Sequence, residues 1–93
     1  MRIVSFKRIE EFLVHHSDAE IPLSIWFHTA KNSSWNSLEE IKKSFSSVDF
    51  IGNDRYVFGI KGNEYCVGAI VLFASKKIYI RFIGKHQEYS NLK

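Results

Sequence analysis

The chain lacks a second cysteine. Cys66 has no partner for an internal disulfide, which fits a reducing compartment. Long apolar runs are also missing: none approaches the roughly 20 residues needed to span a bilayer. The opening MRIVSFKRIEEF turns charged too early for a secretory signal peptide. The expectation is a cytoplasmic protein with no membrane partner. No H-x-x-H, H-E-x-x-H or C-x-x-C spacing occurs, so neither a zinc site nor any other metal or cofactor is expected. There is no internal repeat, linker or low-complexity segment. At 93 residues the chain is one domain, 1–93.

What is present fits a packed core. Apolar residues make up 45% of the chain and charged residues 25%, which excludes a disordered chain. Eight Phe, four Tyr and two Trp can fill a small interior with large side chains. Net charge is +3, unevenly spread. Residues 1–53 carry six Lys/Arg against seven Asp/Glu, a net of −1; residues 54–93 carry seven against three, a net of +4. The basic half is the second one, and it is where a nucleic-acid partner would dock.

The first half reads as helical. A short β-branched run, Arg2 to Val4, suggests a first strand. Ser5 is placed to cap a helix from Phe6 to about His16, with Phe6, Ile9, Phe12, Leu13 and His16 on one face. A second helix is expected over about 20–32, with Pro22 in its first turn and a stripe of Ile25, Trp26, Thr29 and Ala30. Ser37-x-x-Glu40 has capping-box spacing and starts a third helix bearing Leu38, Ile41 and Phe45. From Phe50 the period changes to two. Strands are expected at Phe50–Ile51, Arg55–Ile60, Glu64–Phe73 and Ile78–Ile83, separated by turn signals at 52–54, 62–63 and 74–77. Helices followed by a meander give an α+β fold, with N-terminal helices on one face of an antiparallel sheet.

Register separates the faces. Pairing Phe73 with Ile78 sets Val71 against Ile80, Ala69 against Phe82 and Val67 against Gly84. A Gly62-Asn63 turn pairs Ile60 with Tyr65 and Phe58 with Val67. The predicted helix-facing set is therefore Phe58, Ile60, Val67, Ala69, Val71, Phe73, Ile78, Ile80 and Phe82. On the other face, small Gly59, Cys66 and Gly68 leave a shallow trough beside Arg81, Ile83 and Lys85. A β-bulge in the hairpin would flip part of this assignment.

Arg81 followed by His86-x-x-Tyr89 is the best chemical constellation. RNA cleavage needs a base for the ribose 2′-OH, a cation for the charge growing on phosphorus, and an acid for the departing 5′-oxygen. Histidine titrates near neutrality and serves as acid or base. Arginine presents a permanently charged donor fork to phosphate. Tyrosine can stack on a base. His15, His16 and His28 are poorer candidates, being adjacent or isolated. Cys66 reads as a small inert side chain, Gly62 and Asn63 as turn formers, and Trp26 and Trp35 as packing residues.

The stretches F-I-G-N-D-R-Y-V-F-G-I-K-G-N-E-Y-C-V and I-Y-I-R-F-I-G-K-H-Q-E-Y resemble the HigB toxins of bacterial toxin–antitoxin systems. M-R-I-V-S, D-A-E-I-P-L-S-I-W and S-S-W-N-S-L-E-E-I-K extend the similarity over nearly the whole chain. The resemblance implies a RelE-like mRNA interferase that cuts mRNA on translating ribosomes and is neutralised by a HigA-like helix-turn-helix antitoxin. It implies catalytic roles for Arg81, His86 and Tyr89. Asn63, with Lys61, Lys85, Lys76 and Lys77, would contact RNA. Two positions depart from the pattern: relatives usually carry asparagine at Gly59 and arginine at Cys66. A toxin-fold binding module that still holds antitoxin or ribosome but cuts weakly or not at all is the alternative.

Overall fold

The computed structural model describes residues 1–88. The chain runs β1 (Arg2–Val4), α1 (Lys7–His15), a 3₁₀ turn (Ser17–Ala19), α2 (Glu20–Lys31), α3 (Leu38–Ser44), β2 (Val48–Gly52), β3 (Arg55–Ile60), β4 (Tyr65–Leu72) and β5 (Lys77–Lys85). The five strands form one sheet in the order β1-β5-β4-β3-β2. β1 is parallel to β5 and every other pair is antiparallel. This is the expected α+β arrangement, with β1 added to the edge of a meander.

The helices bury the stripes that their periodicity defines, with two corrections. α2 turns Leu23, Trp26 and Ala30 inward, at i, i+3 and i+7, while Ile25 is exposed. Ser5 does not cap α1. Its φ is +74° and the N-cap is Phe6, whose ring packs on Phe27 at 4.7 Å and so ties the start of α1 to the end of α2. In α3, Glu40 reaches back to the Asn36 amide at 3.1 Å, but the Ser37 hydroxyl makes no capping bond. Trp26, Trp35 and Phe45 surround the Phe58 ring at 5.4, 6.4 and 5.5 Å, and Phe58 is fully buried. Both tryptophans are thus core residues. The Met1 ammonium donates to the carbonyls of Ala30, Lys31 and Ser33, satisfying acceptors at the C-terminal end of α2.

The β3–β4 register is the expected one: Phe58 opposes Val67 and Ile60 opposes Tyr65. Its loop is four residues, with Lys61, Gly62 and Asn63 all at positive φ. The β4–β5 register differs from expectation. Val71 opposes Ile78 and Ala69 opposes Ile80, a slip of two that leaves each side chain on its predicted face. A β-bulge then intervenes. Gly68 opposes Phe82, Val67 opposes Ile83, Cys66 opposes Gly84 and Tyr65 opposes Lys85.

Arg81 is the extra residue, and the bulge reverses parity beyond it. Cross-strand partners share a face. Ile83 therefore joins Val67 against the core, and Lys85 shares the face of Tyr65. Phe82 leaves the predicted helix-facing set and packs with Val57 and Cys66 on the opposite side. Apart from Phe82, the predicted set holds: Phe58, Ile60, Val67, Ala69, Val71, Ile78 and Ile80 are buried, and Phe73 packs against the same core.

Candidate functional site

The face away from the helices is built on small residues. Gly68 and Gly84 flank Cys66 across β4 and β5, and Gly59 opposes Cys66 from β3. The expected open trough is instead occupied by Phe82. A Cβ on Gly84 would lie 2.6 Å from the Phe82 ring tip, and one on Gly68 would touch the Phe82 Cβ at 3.4 Å. Glycine at 84 is what admits the ring. Cys66 beneath it is fully buried, and burial, aided by the Glu88 charge, pushes its thiol up to about 11. It is a neutral packing group, as its apolar surroundings suggested.

Gly59 plays a related part. A Cβ there would overlap the Asn63 carboxamide oxygen and come within 2.5 Å of Ser47 Oγ. The Ser47 hydroxyl donates to that same Asn63 oxygen at 2.6 Å. The turn asparagine thus folds over the strand into the space that a side chain at 59 would claim.

Arg81 is exposed at the bulge, between Ile80, which faces the core, and Phe82, which covers the trough. Beyond β5, residues 86–88 make a helical turn. Glu88 Oε1 accepts from the Lys85 amide at 3.4 Å, and the His86 amide donates to the Glu64 carbonyl at 3.1 Å. These bonds hold the turn against the β3–β4 loop, with His86 exposed at its start. A Cβ on Gly84 would also lie 2.9 Å from Glu88 Oε2, so the carboxylate sits over the sheet beside Phe82. The sequence reading did not single out Glu88. Its signal is a capping-box spacing of three from Lys85. Tyr89 lies outside the described residues.

The lysines divide into two groups. Lys61 and Lys85 belong to the same end of the sheet as His86. Lys61 pairs with Asp18 at 2.7 Å and Glu64 at 3.4 Å. Tyr65 also donates to Asp18, at 2.9 Å. The Lys61 hydrogen bond, followed by that of Tyr65, holds the Asp18 carboxyl below its ordinary range. Lys76 and Lys77 lie at the opposite end of the β4–β5 hairpin. Lys76 Nζ donates to the Ser34 and Trp35 carbonyls at 3.3 and 2.8 Å and to Asn36 Oδ1 at 2.5 Å, fixing the turn to the α2–α3 connection. Lys77 opposes Arg2 in the β1–β5 pair. The structure gathers Lys85, His86, Asn63 and Lys61 at the β3–β4 loop end of the sheet, leaves Lys76 and Lys77 at the opposite end, and sets Arg81 midway along β5, four residues before Lys85.

Helices packed on one face of a five-stranded, mostly antiparallel sheet make this a small α+β protein. The HigB toxin family model, described as a RelE-like toxic component of a toxin–antitoxin system, matches residues 19–92. The chain belongs to this family. It is similar to the mRNA interferase toxin HigB of Escherichia coli K12, 30% identical over 91 residues, which cover 96% of this chain and 88% of that protein. The mRNA interferase HigB of Shigella flexneri gives the same figures. The mRNA interferase HigB of Escherichia coli O6:H1 is 27% identical over 94 residues, covering 99% and 91%.

Proposed function

We propose that this chain is an mRNA interferase, the toxin of a toxin–antitoxin pair, which cuts mRNA on the translating ribosome without a metal ion. The observation that supports the reading is the bulge: it leaves Arg81 exposed in the middle of β5, in the strand that leads on to the His86 turn. Arg81 stabilises the charge that grows on phosphorus. The ribose 2′-oxygen attacks, the 5′-oxygen leaves, and the products are a 2′,3′-cyclic phosphate and a 5′-hydroxyl. His86 serves the proton transfers, taking the 2′-OH proton or supplying the one that the 5′-oxygen gains. Tyr89 would stack on a base. Lys85 supplies positive potential along the RNA, Lys61 is taken up by Asp18 and Glu64, and Asn63 offers a polar contact over Gly59. The partner is a HigA-like helix-turn-helix antitoxin, and the pair acts in the cytoplasm. No helix among the described residues is long and apolar enough to cross a membrane.

One observation favours the second reading, a toxin fold that binds without cutting efficiently. Where relatives usually carry arginine, Cys66 is sealed beneath Phe82. The readings separate when the chain is induced in a bacterial host and mRNA 5′ ends are mapped by primer extension. An active interferase arrests growth and leaves new cuts within coding regions, and co-expressed antitoxin abolishes both. Normal growth with intact mRNA would reject the enzyme in favour of the binding module.

A further inference from the structure

The β3–β4 loop holds a conformation that its residue types resist. Lys61, Gly62 and Asn63 follow one another at φ of +53°, +62° and +70°. Two of the three carry a Cβ, which the left-handed region disfavours. Such a run persists only where its surroundings over-determine it.

Two side chains from outside the loop do this. On one flank Ser47, from the connection between α3 and β2, donates to Asn63 Oδ1 at 2.6 Å. On the other flank Asp18 reaches across from the 3₁₀ turn and takes both ends of the loop. Its Oδ2 accepts from Lys61 Nζ at 2.7 Å, and the Tyr65 hydroxyl lies 2.9 Å from each of its oxygens. Lys61 follows the last residue of β3, and Tyr65 is the first of β4. The Tyr65 ring is buried and abuts Phe12 and His16 edge-on at 5.4 and 5.6 Å, so its hydroxyl is a fixed post. Asp18 is fixed in turn by its neighbour Ala19, which is fully buried. One carboxylate thus closes a four-residue loop across its base.

The loop seats part of the candidate site. It carries Asn63, and its Glu64 carbonyl accepts from the His86 amide at 3.1 Å, where β5 gives way to the His86 turn. The path from Asp18 to His86 is therefore short: carboxylate, loop, Glu64 carbonyl, His86 amide. Exposed ion pairs add little to global stability. The side chains of Lys61 and Asp18 are 37% and 46% exposed, so the work of this pair is local. It removes freedom from the loop and adds little to the core.

We propose that Asp18 is a positioning residue, which clasps the β3–β4 loop so that the Glu64 carbonyl holds the His86 turn in place for proton transfer. The inference rests on the RNA-cutting reading for its catalytic consequence, and its geometry is tested without RNA.

The test compares the whole chain with Asp18→Ala and Asp18→Asn. Residue-resolved amide hydrogen exchange is followed by NMR, with thermal melting in parallel. In Asp18→Ala the Glu64 amide, which donates to the Lys61 carbonyl, and the His86 amide are expected to exchange about tenfold faster. The Val67 and Ile80 amides and the melting curve stay as they were. Asp18→Asn, which keeps an acceptor oxygen but no charge, falls between. Unchanged exchange at His86 in Asp18→Ala would overturn the inference, because the loop would then hold itself. Acceleration shared by the core amides would also overturn it, by assigning Asp18 to the fold as a whole. The catalytic consequence is read as single-turnover cleavage in a translating extract at saturating protein, beside affinity for a 2′-O-methylated RNA that cannot be cut. Asp18→Ala is expected to cut about tenfold more slowly with its affinity retained. Weaker binding at an unchanged cleavage rate would contradict a positioning role. Intact mRNA with the unmodified chain would reject the RNA-cutting reading and leave the exchange result to stand or fall by itself.

Discussion

The two halves of β5 obey different rules. From Lys77 to Ile80 the strand alternates strictly, and Ile78 and Ile80 fill the core beneath the helices. From Arg81 to Lys85 the alternation is broken by the bulge, and Phe82 crosses to the far face while Ile83 turns in. The first half is braced on both sides, by β1 and by β4; the second has β4 alone. Regularity goes with stability and irregularity with candidate chemistry. The inserted residue is the arginine proposed to meet the scissile phosphate, and the reversed parity supplies the ring that covers Cys66.

The largest expected effect belongs to the regular half. Ile80→Ala removes a fully buried side chain and should cost about 2–5 kcal/mol of folding stability. Urea denaturation measures it, and the surviving folded fraction should keep its RNA affinity. A loss of affinity without loss of stability would break the division between the halves.

Phe82→Ala is smaller. The side chain is half-buried, so truncation should cost about 2 kcal/mol, below the value for a fully enclosed ring. Its sharper signature is chemical. Uncovering Cys66 should speed labelling by a thiol reagent under native conditions, whereas the unmodified chain labels only through unfolding. Equal labelling rates would mean that Phe82 does not seal the trough. The same burial argues against simply introducing an arginine at 66, which must expel the ring or leave a charge enclosed.

The smallest effect is a pH dependence. The folded thiol titrates at about 11 against a reference value of 9.0. A raised folded pKa means that the unfolded chain loses its proton first. The contribution of Cys66 to stability is therefore full below pH 9.0 and is lost as pH rises through about 11. Cys66→Ala should flatten this alkaline decline in a denaturation series. An unchanged slope would place its origin elsewhere.

Most of the fold was legible because period and turn chemistry act locally. The helix and strand order, the β3–β4 register and nearly all of the inward-facing set follow from where large apolar residues recur. The bulge was not placed by the sequence because it is a bargain between distant residues. Phe82 can cross only because Gly68 and Gly84, on neighbouring strands, leave room for its ring. Gly59 posed the same difficulty: its lack of a side chain is explained by Asn63 across the turn. The exposed Ile25 shows the complementary error, since a hydrophobic residue one step from the inward stripe is indistinguishable from it by period alone. Arg81 and His86 were legible only as candidates for chemistry. The engaged state of Lys76, spent on the Trp35 loop, was not.

The central claim is that the residue inserted at the bulge serves chemistry rather than folding. Arg81→Ala, assayed for single-turnover cleavage of mRNA in a translating extract and for thermal melting in parallel, tests it directly. The expected result is an unchanged melting curve with cleavage about 10²–10³-fold slower, the loss typical when a group that stabilises transition-state charge is removed. Undiminished cleavage, or a loss fully explained by a lower melting temperature, would contradict the account.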